Sequence, residues 1–174
     1  EGNNNKSIPC NNSFTSSRNL KITPSYRGQI ILVNGINSEE ALVDNEKRWV
    51  MGSDRGFTYT ATLPDNSKII SGEWWAEDYK GEPIVSISKD VEQAFNIGVG
   101  DNITVRIMGV DTTATIANVR EVTWSAFTLN FATTFAPNAI DDIPHSNIAT
   151  VIVDKADEEK LQNLLAKEFP NITS

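Results

Sequence analysis

An α+β fold is the class that this sequence predicts, and three observations predict it. The chain opens on a strand-and-helix pattern, passes through a middle of alternating strand segments, and closes on a strand followed by an amphipathic helix. Its 174 residues suit one domain, or two small lobes sharing a core. The expectation is an α/β lobe of strand-helix units at 21–73 and 144–174, interrupted by an inserted β-rich subdomain at 74–143 with one short helix. A flexible leader at 1–20 precedes them, because EGNNNKSIPCNNSFTSSRNL is rich in Asn and Ser and carries too little apolar surface to offset its ordering entropy.

In chain order, GQIILVNG is a short apolar run bounded by Gly28 and Asn34-Gly35, which predicts a buried strand ending in a turn. A short helix follows, capped by Asn37 or Ser38, with Glu39 and Glu40 in its first turn, where they complement the helix dipole. From Gly56 the period becomes two. FTYTATL alternates, Pro64-Asp65-Asn66-Ser67 is a turn, and KIISG is another short strand. EWWAEDYKGEP is a polar loop, and IVSIS is a strand. Ser88 then opens a helix through KDVEQAF that buries Val91, Ala94 and Phe95 on one face. TTATIANVREVTW and AFTLNFATTF have the β-branched and aromatic content of strands, and NIATVIV is the last strand. It leads into DKADEEKLQNLLAKEF, where Leu161, Leu164, Leu165 and Phe169 share a helical face before Pro170 stops the helix.

The stretch Gly98-Val99-Gly100-Asp101 has the look of a phosphate loop, but a phosphate loop needs the order strand, glycine turn, helix, so that the anion meets free N–H groups at the helix start. Here the order is helix, glycine turn, strand. Gly98 falls where a helix C-terminus wants a left-handed residue, Gly100-Asp101 makes a turn, and Ile103, Val105 and Ile107 alternate with polar residues as in a half-buried strand. Gly98, Gly100 and Asp101 are therefore read as a structural corner.

Composition excludes other classes. A formal net charge of -8, with no Lys/Arg stripe to compensate it, repels a phosphate backbone and argues against nucleic acid. Cys10 is the single cysteine and His145 the single histidine, so neither a disulfide nor a zinc cage is available, and no cofactor or metal is expected. His145 lies in DDIPHS beside Asp141, Asp142 and Ser146, yet no Gly-x-Ser-x-Gly elbow supplies a nucleophile, and the segment reads as a polar surface loop. No apolar run approaches the roughly 18 to 20 residues of a membrane span, so the chain reads as soluble. It begins EGNNN, without an initiator Met or a signal peptide's apolar stretch, and reads as a processed or excised segment.

Trp74-Trp75 is the most distinctive local feature. In a strand the two rings would face opposite sides, so that one joins the core while the other meets solvent, a lobe or a partner. Either both pack structurally, or one serves as an anchor in an interaction surface.

RWVMGSDRGFTYTATLPDNSKIISGEWW at Arg48 to Trp75, and PIVSISKDVEQAFNIGVGDNITVRIMGVDTTATIANVREVTWSAFTLNF at Pro83 to Phe131, resemble the extracytoplasmic region of FtsX-like ABC transporter permeases related to MacB, the YbbP-type branch above all. The resemblance spans about Tyr26 to Thr173, and GDNITVRIMG, VREVTW and NF carry it best. It implies a noncatalytic periplasmic domain at the bacterial inner membrane, with a MacB-like architecture of a lobe and an inserted subdomain. Its partners would be transmembrane helices of the same permease and a separate cytoplasmic ATP-binding subunit, with a lipid, lipoprotein, peptide or periplasmic protein handled outside. Two rivals stand beside it. One is a free secreted module that binds a glycan or protein through Trp74 or Trp75; the other is an enzyme using His145 with Asp141 or Asp142.

Overall fold

A computed structural model of the chain describes residues 20–51, 56–124, 129–151, 159 and 163. The structure is mostly β, and six of its strands close into a barrel, which replaces the expected α/β lobe with a β-rich insert. The helices among the described residues are too short to build a lobe. The strand after Asn34-Gly35 leads into only one helical turn, Ser38–Ala41 (α1), and the 3-10 helix Asn45–Met51 and the α-helix Lys89–Phe95 (α2) have seven residues each. The expected final helix from Asp154 to Phe169, with its face of Leu161, Leu164, Leu165 and Phe169, lies outside the described residues apart from helical Glu159 and Asn163.

The strands are β1 (Leu20–Val33), β2 (Ile36–Asn37), β3 (Gly56–Tyr59), β4 (Ser67–Gly72), β5 (Ile84–Ser88), β6 (Asn102–Ile107), β7 (Val110–Val122), β8 (Thr133–Phe135) and β9 (Ser146–Val151). Following neighbours around the barrel gives β1, β3, β8, β5, β7, β6 and β1 again. The β3–β8 and β5–β7 pairs are parallel, and the other four barrel pairs are antiparallel. Strands from 21–73 and from 74–143 therefore share one barrel wall, which is why they are not a lobe and an insert. The barrel lies within a compact unit, Thr23–Ile148; the remaining described residues, at the start of β1, the end of β9 and at 159 and 163, belong to a second unit.

Two long strands make closure feasible. β1 shifts register against β6 between Ile30 and Leu32, and β7 shifts against β5 where Val85 gives way to Ser86. Such bulges bend a strand and raise its twist, as a closed barrel requires. Gly28 allows the β1–β6 seam to close tightly: a Cβ there would lie 2.5 Å from the Arg106 carbonyl oxygen. β4 adds a further antiparallel strand on β7, and β9 pairs with β1.

The core follows the period-two pattern of the sequence. Ile103, Val105 and Ile107 of β6, Val85 and Ile87 of β5, and Ala114 and Ile116 of β7 point inward with Phe57 and Phe135, which meet edge to face with centroids 6.1 Å apart. Val91, Ala94 and Phe95 of α2 join the same apolar cluster, as the helical spacing predicts. Burying a side chain of this size contributes roughly 1.5–3 kcal/mol, so the β6 alternation alone orients that strand.

Candidate functional site

Trp74 and Trp75 lie in the loop after β4 rather than in a strand, so strand alternation does not separate them. Their rings stack on each other, with centroids 4.0 Å apart and planes 29° apart. Trp74 Nε1 donates to the Ala61 carbonyl and Trp75 Nε1 to the Thr60 carbonyl, each at 2.9 Å. Trp75 is buried and Trp74 half-buried, and both indole N–H groups are engaged within the chain.

The glycine corner is built differently from the sequence expectation at one position. The left-handed residue that ends α2 is Asn96, with φ 51°, not Gly98. Gly98 lies outside the left-handed region, whereas Gly100 has φ 92°. Asp101 closes the corner by accepting the Gly98 N–H at 2.8 Å. It also receives Asn34 Nδ2 at 3.0 Å, while Asn34 Oδ1 accepts the Asn102 N–H at 2.9 Å. The Asn34-Gly35 turn of the β1–β2 hairpin is thus clamped to the start of β6. Gly100 N–H also donates to the Ile116 carbonyl at 2.9 Å, and the Asp101 carbonyl accepts from Ile116 N–H at 2.8 Å.

His145 packs against two tyrosines. Its ring centroid is 4.8 Å from that of Tyr26 and 6.3 Å from that of Tyr59, and Nδ1 lies 3.1 Å from the Ile143 carbonyl oxygen. The structure does not join His145 to Ser146 or to the carboxylates of Asp141 and Asp142 through any hydrogen bond among the described residues. The Tyr26 hydroxyl is buried without a hydrogen-bond partner among them. Burial first, then the neighbouring Tyr59 and the Asp141 charge, push this phenol well above the usual tyrosine range.

Sequence reading missed the most polar buried constellation. On the face of β5 and β7 opposite the apolar core, Ser86 pairs across the strands with Asn118 and Thr134, and Arg120 lies one pair further along, beside Ser88. Arg120 is 1% exposed. Its Nε donates to Ser86 Oγ at 2.9 Å, Nη1 to Ser67 Oγ at 3.0 Å, and Nη2 to the Phe131 carbonyl and Thr134 Oγ1, both at 2.7 Å. Ser86 donates onward to Asn118 Oδ1 at 2.6 Å, and Asn118 Nδ2 donates to the Glu73 carbonyl at 3.0 Å. Four of five guanidinium N–H groups are thus satisfied by neutral oxygens, and burial pulls the pKa of Arg120 down to about 10. The signal available in the sequence was an arginine inside a strand-like run, VREVTW, next to the core-facing Val119, but the long-range acceptors that accommodate it are invisible locally.

On the outside of β1, a groove of about 450 Å3 runs past Gln29, Ile31, Asn37, Glu39 and Met51 to the β6–β7 hairpin. Arg106 and Asp111 close its rim with a two-pronged pair at 2.6 and 2.7 Å, and the Arg106 hydrogen bond holds the Asp111 carboxyl below its usual range. Glu39 is likewise engaged by Arg48. The charges around the groove neutralise one another.

Among the described residues no three His, Cys, Asp or Glu side chains converge in the way a metal ion requires, and no helix is long and apolar enough to cross a membrane. Compared with models of known protein families the chain matches none, and no curated protein matches it.

Proposed function

We propose that the chain is a noncatalytic extracytoplasmic domain of an ABC-type permease. It passes movement driven by ATP hydrolysis on a separate cytoplasmic subunit to a lipid, lipoprotein or peptide substrate, or to a partner protein. The observation that carries this reading is the pairing of β9 with β1. β1, the first barrel strand, and β9, which follows the last, are neighbours, the arrangement expected of a domain set between two consecutive membrane segments. A closed sheet has no free hinge within its wall, so the barrel would move as a body. The resemblance of the segments from Arg48 to Trp75 and from Pro83 to Phe131 supports the same reading. The lobe-and-insert architecture implied by that resemblance plays no part in it.

The test uses the parent reading frame expressed in spheroplasts. In a Cys10→Ser background, Met108→Cys places a thiol at the β6–β7 turn, where the native side chain is 72% exposed. A membrane-impermeant maleimide is expected to label it without lysis, and an ATP-binding subunit is expected to copurify from solubilised membranes. Labelling only after lysis, or recovery of the protein wholly in the medium as a free module, would contradict the proposal.

A further inference from the structure

Trp124, just beyond β7, is the tryptophan that the fold leaves most open, with 45% of its surface exposed. Two contacts nonetheless hold its ring. Trp49 meets it edge to face, with centroids 6.0 Å apart and planes at 83°, and its Nε1 donates to Asp90 Oδ2 at 3.3 Å. Asp90, in the first turn of α2, binds Lys47 Nζ through Oδ1 at 3.1 Å, and the side chains of this acid–base pair are only 30% and 23% exposed.

An exposed indole usually rotates freely and must be ordered by whatever binds it. Here that ordering is already provided by the fold, which lowers the entropic cost of binding. The ring supplies an apolar face, Asp90 keeps lone pairs to accept from hydroxyls, and Lys47 keeps two ammonium N–H groups to donate to them. Because the pair is close to neutral, it selects neither a phosphate nor a cation. The matching chemistry is a flat molecule with one C–H-lined face and a rim of hydroxyls at fixed spacing. We propose that Trp124, braced by Trp49 and flanked by Asp90 and Lys47, is a platform for a neutral pyranose unit of a glycan. The site stands independently of any membrane role, since Trp124, Asp90 and Lys47 belong to one compact unit.

The 174-residue chain is titrated with chitohexaose, cellohexaose and maltohexaose, following tryptophan emission and heat. One stacked unit on an open surface is expected to give a saturable response with a Kd on the order of 1 mM for at least one sugar. Trp124→Ala is expected to weaken it by about tenfold or more, with the far-ultraviolet circular dichroism spectrum and a cooperative unfolding transition retained. Trp124→Phe keeps a smaller platform and should weaken it less, and Trp74→Phe should leave it unchanged. Three outcomes would overturn the proposal: no saturation with any of the three sugars, binding that survives Trp124→Ala, or an emission shift produced by phosphatidylcholine–phosphatidylglycerol vesicles but not by sugars.

Discussion

Arg120 and Tyr26 are both buried polar side chains, but their energetics have opposite signs. Burial disfavours the charged form of Arg120 and lowers its pKa to about 10. Its four hydrogen bonds nonetheless satisfy buried oxygens that would be left without a donor if the side chain were removed. Tyr26 buries a hydroxyl that has no hydrogen-bond partner among the described residues. Arg120→Met is therefore expected to destabilise the fold by about 2–4 kcal/mol, because it orphans the Phe131 carbonyl and the hydroxyls around it. Tyr26→Phe is expected to be neutral or to stabilise by up to about 1 kcal/mol. Urea unfolding of both variants at pH 7 checks the contrast. At high pH the two groups also act in opposite directions. The folded chain holds the Tyr26 proton above the pH near 10.0 where an unfolded tyrosine loses its own, so this contribution is complete below pH 10 and falls as pH rises beyond it. Arg120 deprotonates earlier in the folded state than in the unfolded one, so its burial cost is relieved between about pH 10 and 12.5. Tyr26→Phe should accordingly lose less stability than the parent between pH 9 and 11, and an equal loss would show that Tyr26 is not the group responsible.

Elements were legible in the sequence wherever their determinants are local. The β6 alternation, the α2 face of Val91, Ala94 and Phe95, and the Asn37 cap of α1, whose side chain accepts the Glu39 N–H at 3.0 Å, follow from spacing and capping chemistry. The helix end at Asn96 shows the limit of that reading. Asn tolerates the left-handed region nearly as well as glycine, so two residues competed for one role and the sequence pattern favoured the wrong one. The consequence is measurable. A Cβ at Gly98 meets open space with no left-handed φ to strain it, and Gly98→Ala is expected to be neutral or to stabilise by about 0.4–1 kcal/mol through the unfolded state. Gly100 also faces open space, but its φ of 92° makes Gly100→Ala costly, by about 1–2 kcal/mol. Thermal unfolding of the two variants separates these roles; equal losses would return Gly98 to the position the spacing implied. Trp74-Trp75 sits in the loop where the sequence placed EWWAEDYKGEP, and what spacing could not supply is that the loop lets the two rings stack, since alternation across a sheet applies only within a strand.

At the scale of the whole molecule, closure was the feature that the sequence withheld. The parallel β3–β8 and β5–β7 pairs join segments far apart in the chain, and no turn residue specifies their register. Short strands such as Thr133–Phe135 carry little pattern of their own, yet each completes the wall between two longer neighbours. Strand-helix order at the two ends therefore suggested a lobe, although β1 and β3 from the first of those ends are barrel strands and β9 from the other only pairs with β1. The proposed mechanical role depends on this closure, since a body that transmits movement must not open along a seam. Native-state hydrogen exchange on the isolated chain tests it most directly. A closed barrel predicts that amides along the β1–β6 seam, from Gly28 to Val33 and from Ile103 to Ile107, exchange through the same global opening as those of the β5–β7 and β3–β8 pairs. Exchange of β1 and β3 at a separate, lower opening free energy than β5, β6, β7 and β8 would contradict the barrel, and with it the closed body on which the account rests.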